Sequence, residues 1–227
     1  MTDAILEAQS VSRIYHPGTS SEVQALRDVS LAIPAGGYVA LAGPSGSGKT
    51  TLLSLLGGLD RPSTGHVRFS ERNLEECSDV ELARQRRRMG FVFQNFSLIP
   101  RLAVWENITY PQIPMGLSAA NRRQAADEIL ARLGLETKAD APPEELSGGE
   151  QQRVAVARAL VGGPEVIFAD EPTSNLDRRS ADELAAMFQD INGSGTTLVV
   201  STHDTALIEA ASLVFTLSEG RLVEGGA

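Results

Sequence analysis

"GPSGSGKT", Gly43 to Thr50, lies between an apolar run, "YVALA", and a stretch of helical composition, "TLLSLLGGL". It matches G-x-x-x-x-G-K-[ST] in the strand-then-helix setting that gives the pattern its meaning. Gly43, Gly46 and Gly48 allow the loop to turn its amides toward phosphate oxygens, Lys49 can bridge β and γ phosphates, and the Thr50 hydroxyl can ligate magnesium. Ser45, Ser47 and Thr51 complete the candidate phosphate contacts.

A phosphate loop needs a carboxylate for the metal, and "VIFADE" places Asp170 at the end of a second apolar strand, suited to hold magnesium through water. Glu171 follows it directly and is positioned to polarise an attacking water, which points to hydrolysis beyond nucleotide binding. Taken alone, Glu171 also reads as an acidic helix start favoured by the helix dipole. A second helix start, "LSGGEQQ" at residues 146 to 152, is suited to an anion: Ser147 can cap it, and Gly148 and Gly149 permit close backbone approach. It carries no cation before Arg153.

Outward from these motifs the rhythm is legible. The first forty or so residues read as short strands joined by hairpins ("AILEAQSVSRIY", "ALRDVSLAIPAGGYVALAG"), and "GHVRFS" adds another strand. Ser78 and Glu81 have capping-box spacing, so "SDVELARQRRRM" should be a helix leading into the strand "GFVFQ". From about 95 to 160 the pattern is helical; "SAANRRQAADEILARLG" sets Ala125, Ile129, Leu130 and Leu133 on one face with Gly134 as the stop. From 165 onward, strand and helix alternate ("EVIFAD", "SADELAAMFQDI", "TTLVVST", "DTALIEAA") and end in an expected hairpin, "LVFTLSEGRLVEGG". Apolar strands alternating with helices imply a parallel sheet covered on both faces.

Composition bounds the remaining choices. The chain has 227 residues, 42% of them hydrophobic and 22% charged, enough for one core with an inserted part and unlike a disordered chain. A net charge of −9 argues against a protein that coats nucleic acid. A single cysteine, Cys77, offers no internal disulfide and no thiol metal site, which suits a reducing compartment. "MTDAILEAQS" has acids where a leader would have bases, and no apolar run approaches the roughly 20 residues needed to span a bilayer. Any membrane role is expected through a partner.

The phosphate loop, "FVFQ" with Gln94, "LSGGEQQ", "VIFADEPTSNLD" and "STHD" with His203 stand in the order and approximate spacing of ABC ATPases, which the chain resembles over essentially its whole length. The resemblance implies an α/β fold: a P-loop NTPase core with an N-terminal antiparallel β subdomain (1–94 and 161–227) and an inserted α-helical subdomain (about 95–160). It implies ATP and Mg²⁺ as cofactors and a head-to-tail pair of chains, each nucleotide lying between one phosphate loop and the other chain's "LSGGE" helix. Tyr15 then resembles the aromatic that stacks on adenine, Gln94 the sensor of γ phosphate and metal, and Ser147 and Gly149 the γ-phosphate contacts across the pair. Asp177 resembles the aspartate linking the two sites, and His203 the histidine bridging γ phosphate and the carboxylate of Glu171. Glu171, His203 and Lys49 are the candidate catalytic groups; Thr50, Gln94 and Asp170 are the candidate metal ligands. Ser174 and Tyr38 depart from many relatives, and neither is a proposed catalytic group.

"GGLDRPSTGHV" and "RQRRRMGFVFQNFSLIPRLAVWENITYP" resemble the branch of lipoprotein-releasing, macrolide-export and peptide-resistance ATPases. That implies a separate transmembrane permease contacting the Gln94 loop, and a cytoplasmic chain held at the inner face of the membrane through it. Phe96, Leu98, Ile99, Pro100, Leu102 and Trp105 are the candidate contact face, or else pack the helical insertion onto the core. The rival is a soluble ABC ATPase acting on nucleic acid or the ribosome through Arg84, Arg86, Arg87 and Arg88; a solvated helix face fits that cluster better.

Overall fold

The structure, a computed structural model, describes residues 4–225. Residues 1–3 of the acidic N-terminal stretch and Gly226 of the expected terminal hairpin lie outside the described residues. Two sheets organise the chain. The first is antiparallel, in the order β2 (Val23–Pro34), β1 (Ala4–Tyr15), β4 (Thr64–Phe69) and β5 (Arg72–Asn73). The second runs β10 (Arg221–Gly225), β9 (Leu213–Ser218), β3 (Tyr38–Ala42), β8 (Thr197–Ser201), β7 (Val166–Asp170) and β6 (Met89–Val92). From β9 to β6 its neighbours are parallel, and β10 closes the edge as an antiparallel hairpin with β9.

The hairpin expectation for the N-terminal region holds for β1 with β2 but not for β2 with β3. Their burial explains the split. Over its second half β2 largely alternates exposed and buried residues, as suits a sheet with one wet face, whereas Tyr38 to Leu41 are all buried. A strand apolar on both sides is stable only where both faces are covered, so β3 crosses into the parallel sheet. Helix α1 (Lys49–Leu56) lies between the sheets: Leu52, Leu53, Leu55 and Leu56 join Leu6, Val11 and Phe69 of the first and Val39, Leu41, Val166 and Phe168 of the second in one core. The alternate residues Ile167, Ala169, Leu198 and Val200 point to the opposite face. They meet α5 (Gly148–Leu160), α6 (Arg178–Gly193) and α7 (Thr205–Ala210).

Between β6 and β7 the described chain is helical: α3 (Val104–Thr109), α4 (Ala119–Leu133), α5 and short 3-10 turns. Helix α2 (Asp79–Arg86) has the Ser78–Glu81 capping box read from its sequence but stops three residues before the expected Met89, which is taken by β6. On α4 the inward residues are Ala126 and Leu130, with Ile129 and Leu133 partly buried beside them; Ala125 is not in that cluster. Helix α5 buries two faces. Val154 and Ala157 pack with α3 and α4, while Ala155, Val156 and Ala159 pack under the parallel sheet. It is the element through which the helical insertion is anchored to the core.

Candidate functional site

Parallel strands deliver loops at their C-terminal ends, where ligands of open α/β sheets bind. Here β3, β8 and β7 are adjacent, so the phosphate loop after β3, His203 after β8, and Asp170 and Glu171 at the end of β7 converge. The register sets Asp170 opposite Ser201. Ser201 Oγ donates to Asp170 Oδ1, and the Thr50 hydroxyl donates to the same oxygen at 2.9 Å. Two strand ends and a helix start thus hold one carboxylate.

Lys49 is only 7% exposed, and Nζ donates to the carbonyls of Gly43 at 2.9 Å and Pro44 at 3.2 Å. It also lies 3.4 Å from Glu171 Oε1, while His203 Nδ1 is 2.7 Å from Glu171 Oε2. Glu171 therefore has a cation on one oxygen and an imidazole on the other. The Glu171 side chain is 16% exposed and that of His203 72%, so the pair faces outward from a mostly buried base. The Glu171 backbone stands at φ 44°, a left-handed conformation that costs an ordinary residue roughly 1–2 kcal/mol. Four bonds hold it: Glu171 N donates to Ser201 O at 2.9 Å and to Ser201 Oγ at 3.3 Å, and the Glu171 carbonyl accepts from Ser174 N at 3.2 Å and Ser174 Oγ at 2.9 Å. Ser174, the departure noted above, thus tightens the turn that aims Glu171.

The residues of the loop fit a nucleotide. Ser47 Oγ is buried with no partner among the described residues, an orphan that a phosphate oxygen would satisfy. Gly46 stands at φ 77° with no atom within 4 Å of where a Cβ would be, so the loop turns its backbone toward open space. A cleft of about 400 Å³ follows, lined by Lys49, Thr50 and Thr51 on one side and Val23, Ala25 and Arg27 on the other. Tyr15 does not line it. Its hydroxyl donates to Asp60 at 3.0 Å and the Arg13 guanidinium covers one ring face at 4.5 Å, although its cross-strand partner Val23 is in the lining. Magnesium also fits: Thr50 Oγ1 and Asp170 Oδ1 are hard oxygens, and among the described residues no cluster of three His, Cys, Asp or Glu would hold a metal without outside oxygens. Gln94 follows β6; its carbonyl accepts from Asn175 Nδ2 at 2.8 Å, and its side chain makes no hydrogen bond to Asp170 or Thr50.

The "LSGGE" helix start lies elsewhere on the same chain. Ser147 caps α5, accepting from Glu150 N at 3.3 Å, while Ser147 N donates to the Glu150 carboxylate at 2.8 Å. Gly149 packs on α6: an added Cβ would stand 2.8 Å from Ser180 Oγ. Ser180 N in turn donates to Asp177, the N-cap of α6, at 2.9 Å. The Ser147 backbone N–H, ahead of the Ser147 hydroxyl and Lys138, holds the Glu150 carboxyl below its ordinary value. Its contribution to stability is present above the unfolded value and is lost as pH falls through the folded one. Glu150→Gln should cost about 0.5–1 kcal/mol at pH 7, with the gap to wild type closing below roughly pH 4 in urea unfolding at the two pH values.

Sequence reasoning missed Ser201, Asn175 and Ser180, which bind the motifs to one another; each lies inside a quoted motif or just after one, but their partners are set by strand register and helix packing. The candidate contact face divides, with Ile99, Pro100 and Leu102 in neither core cluster. Phe96 and Leu98 pack on the core below the sheet, and Leu98 and Trp105 on the α3–α4–α5 cluster. A further apolar groove of about 380 Å³ lies between β6, α2, α5 and the 3-10 turn Tyr110–Met115, with Leu59, Phe91, Phe93 and Met115 in its walls. Of the arginine cluster, Arg88 is tied to Glu165 at 2.6 Å and lies over Phe69, and Arg86 Nε donates to Gly58 O at 3.0 Å. That leaves Arg84 and Arg87 without such ties, a small remainder for the nucleic-acid rival. No helix among the described residues is long and apolar enough to cross a membrane.

A family profile described as "ABC transporter" matches residues 26–174. The macrolide export ATP-binding/permease protein MacB of Burkholderia thailandensis is 44% identical over 98% of this chain, which covers 34% of that protein. An uncharacterized ABC transporter ATP-binding protein of Thermotoga maritima is 42% identical, with 96% of this chain and 93% of that one covered. The chain thus spans about a third of the length of the macrolide-export relatives it matches. Among solved structures, the dimeric post-hydrolysis state of the ATP-binding cassette MJ0796 bound to ADP and Pi superposes with a TM-score of 0.89 at 37% identity, covering 97% of both chains. CbiO1 of Clostridium perfringens, part of the transporter complex cbiONQ, superposes at 0.86 with 30% identity over 99% of this chain and 88% of that one.

Proposed function

The chain belongs to the ABC transporter family and is an ATPase of that family, and on this premise we propose that two copies close head to tail on two ATP molecules to drive an export-type transmembrane permease. The observation that carries the proposal is the separation of two anion-binding elements. Lys49, Thr50, Asp170, Glu171 and His203 converge at one strand-end site, while the start of α5 belongs to another part of the chain, held by its own capping box, by Lys138 at 3.6 Å from Glu150 and by the packing of Gly149 on α6. A second chain would bring its Ser147, Gly148 and Gly149 to the γ phosphate, with Asp177 beside the junction.

In this reading Lys49 Nζ and backbone amides of the loop from Ser45 to Thr51 hold the phosphates, with Ser45 and Ser47 adding hydroxyls, and Tyr15 offers to the base the ring face opposite Arg13. Thr50, Asp170 and Gln94 would hold magnesium, which would offset charge on the phosphates. Glu171 takes a proton from water as the water oxygen attacks the γ phosphorus; the bond to the ADP oxygen breaks and its electron pair stays with ADP. His203 steadies the carboxylate and the γ phosphate. Loss of that phosphate removes the group both chains grip, and the pair opens. Light scattering with and without ATP and magnesium tests the pairing: Glu171→Gln should double in mass with ATP, and a chain that stays single at saturating ATP overturns the shared site.

The permease contact is proposed at the groove beside Phe93, continuous with the Gln94 loop, and the occupant is a short apolar helix of the permease carrying an acid for Arg87. Met115, 48% exposed in that wall, is the point to test. Met115→Asp should leave ATP binding within about twofold and abolish recovery of the permease with the ATPase, since burying an unpaired carboxylate in an apolar groove is prohibitive. Unchanged co-purification places the contact elsewhere.

A further inference from the structure

Strand β8 ends in a buried polar residue that the proposed chemistry does not use. Side chains alternate along a strand, so Ser201 continues the row of Val199, and Asp170 that of Val166 and Phe168, on the face covered by α1. Ser201 is 0% exposed where the row behind it is apolar, and a buried hydroxyl is costly unless it is bonded. Chemistry assigns its bonds. The Glu171 N–H can only donate, so Ser201 Oγ accepts there at 3.3 Å, and its single proton goes to Asp170 Oδ1. Thr50 Oγ1 donates to that same oxygen at 2.9 Å. Asp170 Oδ1 thus takes two hydroxyl protons, while Oδ2 takes no hydrogen bond among the described residues.

On the reading of this site as one for magnesium and ATP, we propose that Ser201 is a positioning residue: it commits Oδ1 of Asp170 to the protein and leaves Oδ2 for a water of the magnesium shell. Thr50 alone would not do this. Thr50 is exposed and its oxygen is wanted by the metal, whereas Ser201 is enclosed and fixed by strand register. With the Ser201 hydroxyl gone, one bond to Oδ1 remains, the carboxylate can turn about its Cβ–Cγ axis, and its two oxygens become interchangeable. Hydrogen bonds that orient a metal's ligands contribute about 10- to 100-fold to metal affinity. The turn that carries Glu171 does not depend on the hydroxyl, because Glu171 N also donates to the Ser201 carbonyl at 2.9 Å. The effect of the hydroxyl is therefore confined to the metal carboxylate.

Calorimetric titration of the whole chain with AMP-PNP, a non-hydrolysable ATP analogue, in excess magnesium and again in EDTA gives the gain in affinity that the metal confers. In Ser201→Ala that gain should fall about tenfold while affinity in EDTA stays within about twofold of wild type, and binding in EDTA itself reports a folded loop. Ser201→Cys keeps the volume of the buried site but offers only a weak donor, and should lose about fivefold or more of the gain. The proposal is overturned if Ser201→Ala keeps the wild-type gain, or if Ser201→Cys restores it, since volume would then matter and not the hydrogen bond. It is equally overturned if affinity in EDTA falls as far as affinity in magnesium, which would make Ser201 a support of the phosphate loop. A wild-type chain that gains nothing from magnesium overturns the metal reading together with this proposal, whereas the other outcomes leave that reading standing.

Discussion

Glu171→Gln lowers steady-state ATP hydrolysis by about 10²- to 10⁴-fold, the range over which a positioned general base contributes. The substitution is nearly isosteric, so the turn at φ 44° and its bonds to Ser201 and Ser174 are kept. What is lost is basicity. The carboxylate that lies 3.4 Å from Lys49 Nζ also disappears, and the lysine is then opposed by one anion fewer. ATP binding is therefore expected to be unchanged or tighter, and ATP-dependent pairing to persist. Phosphate release and nucleotide titration on the same preparation check this. Hydrolysis at the wild-type rate would remove Glu171 from the mechanism, and loss of ATP binding would make it a structural residue of the loop.

Ser147→Arg blocks turnover from outside the strand-end site, by about 10²-fold or more, because it puts a long side chain in place of a short hydroxyl at the helix start proposed to meet the second chain's γ phosphate. Binding of nucleotide by the single chain stays near wild type, since Ser147 lies on a different part of that chain from Lys49 and Thr50. Ser147 also caps α5, so part of any effect is local stability, about 1 kcal/mol for loss of the cap. Ser147→Ala isolates that part: it should lower the melting point while allowing ATP-driven pairing. Gly149→Asp is a poorer probe, because the first side-chain carbon already meets Ser180 of its own chain at 2.8 Å. If Ser147→Arg lost nucleotide binding with the fold intact, the two elements would belong to one site on one chain.

Much of the site was legible because its chemistry is written in short contiguous runs. A glycine loop before Lys49 and Thr50, an acid pair closing an apolar strand, and a capped double glycine each state their function within a few residues. Ser78 and Gly134 likewise announced the ends of their helices, since caps are local. The candidate permease face stayed open between contact and packing for the converse reason. Leu98 and Trp105 stand in a polar neighbourhood of sequence, and only the α3–α4–α5 cluster, drawn from residues far apart in the chain, shows that they are partly buried against it.

By itself the sequence determined that this chain carries a glycine loop with Lys49 and Thr50, an acid pair closing an apolar strand, and a separate capped double glycine in an α/β frame. Tertiary structure alone decided that β3 leaves its apparent hairpin partner for a strand nearly 160 residues later, and that this places Thr50, Asp170 and Ser201 on one set of hydrogen bonds. It also decided which apolar residues gather in the groove beside Phe93. The physical reason is range. Turns, caps and phosphate loops are set by neighbouring dihedrals and backbone bonds, whereas strand order, register and the covering of apolar faces depend on which distant segments exclude water together.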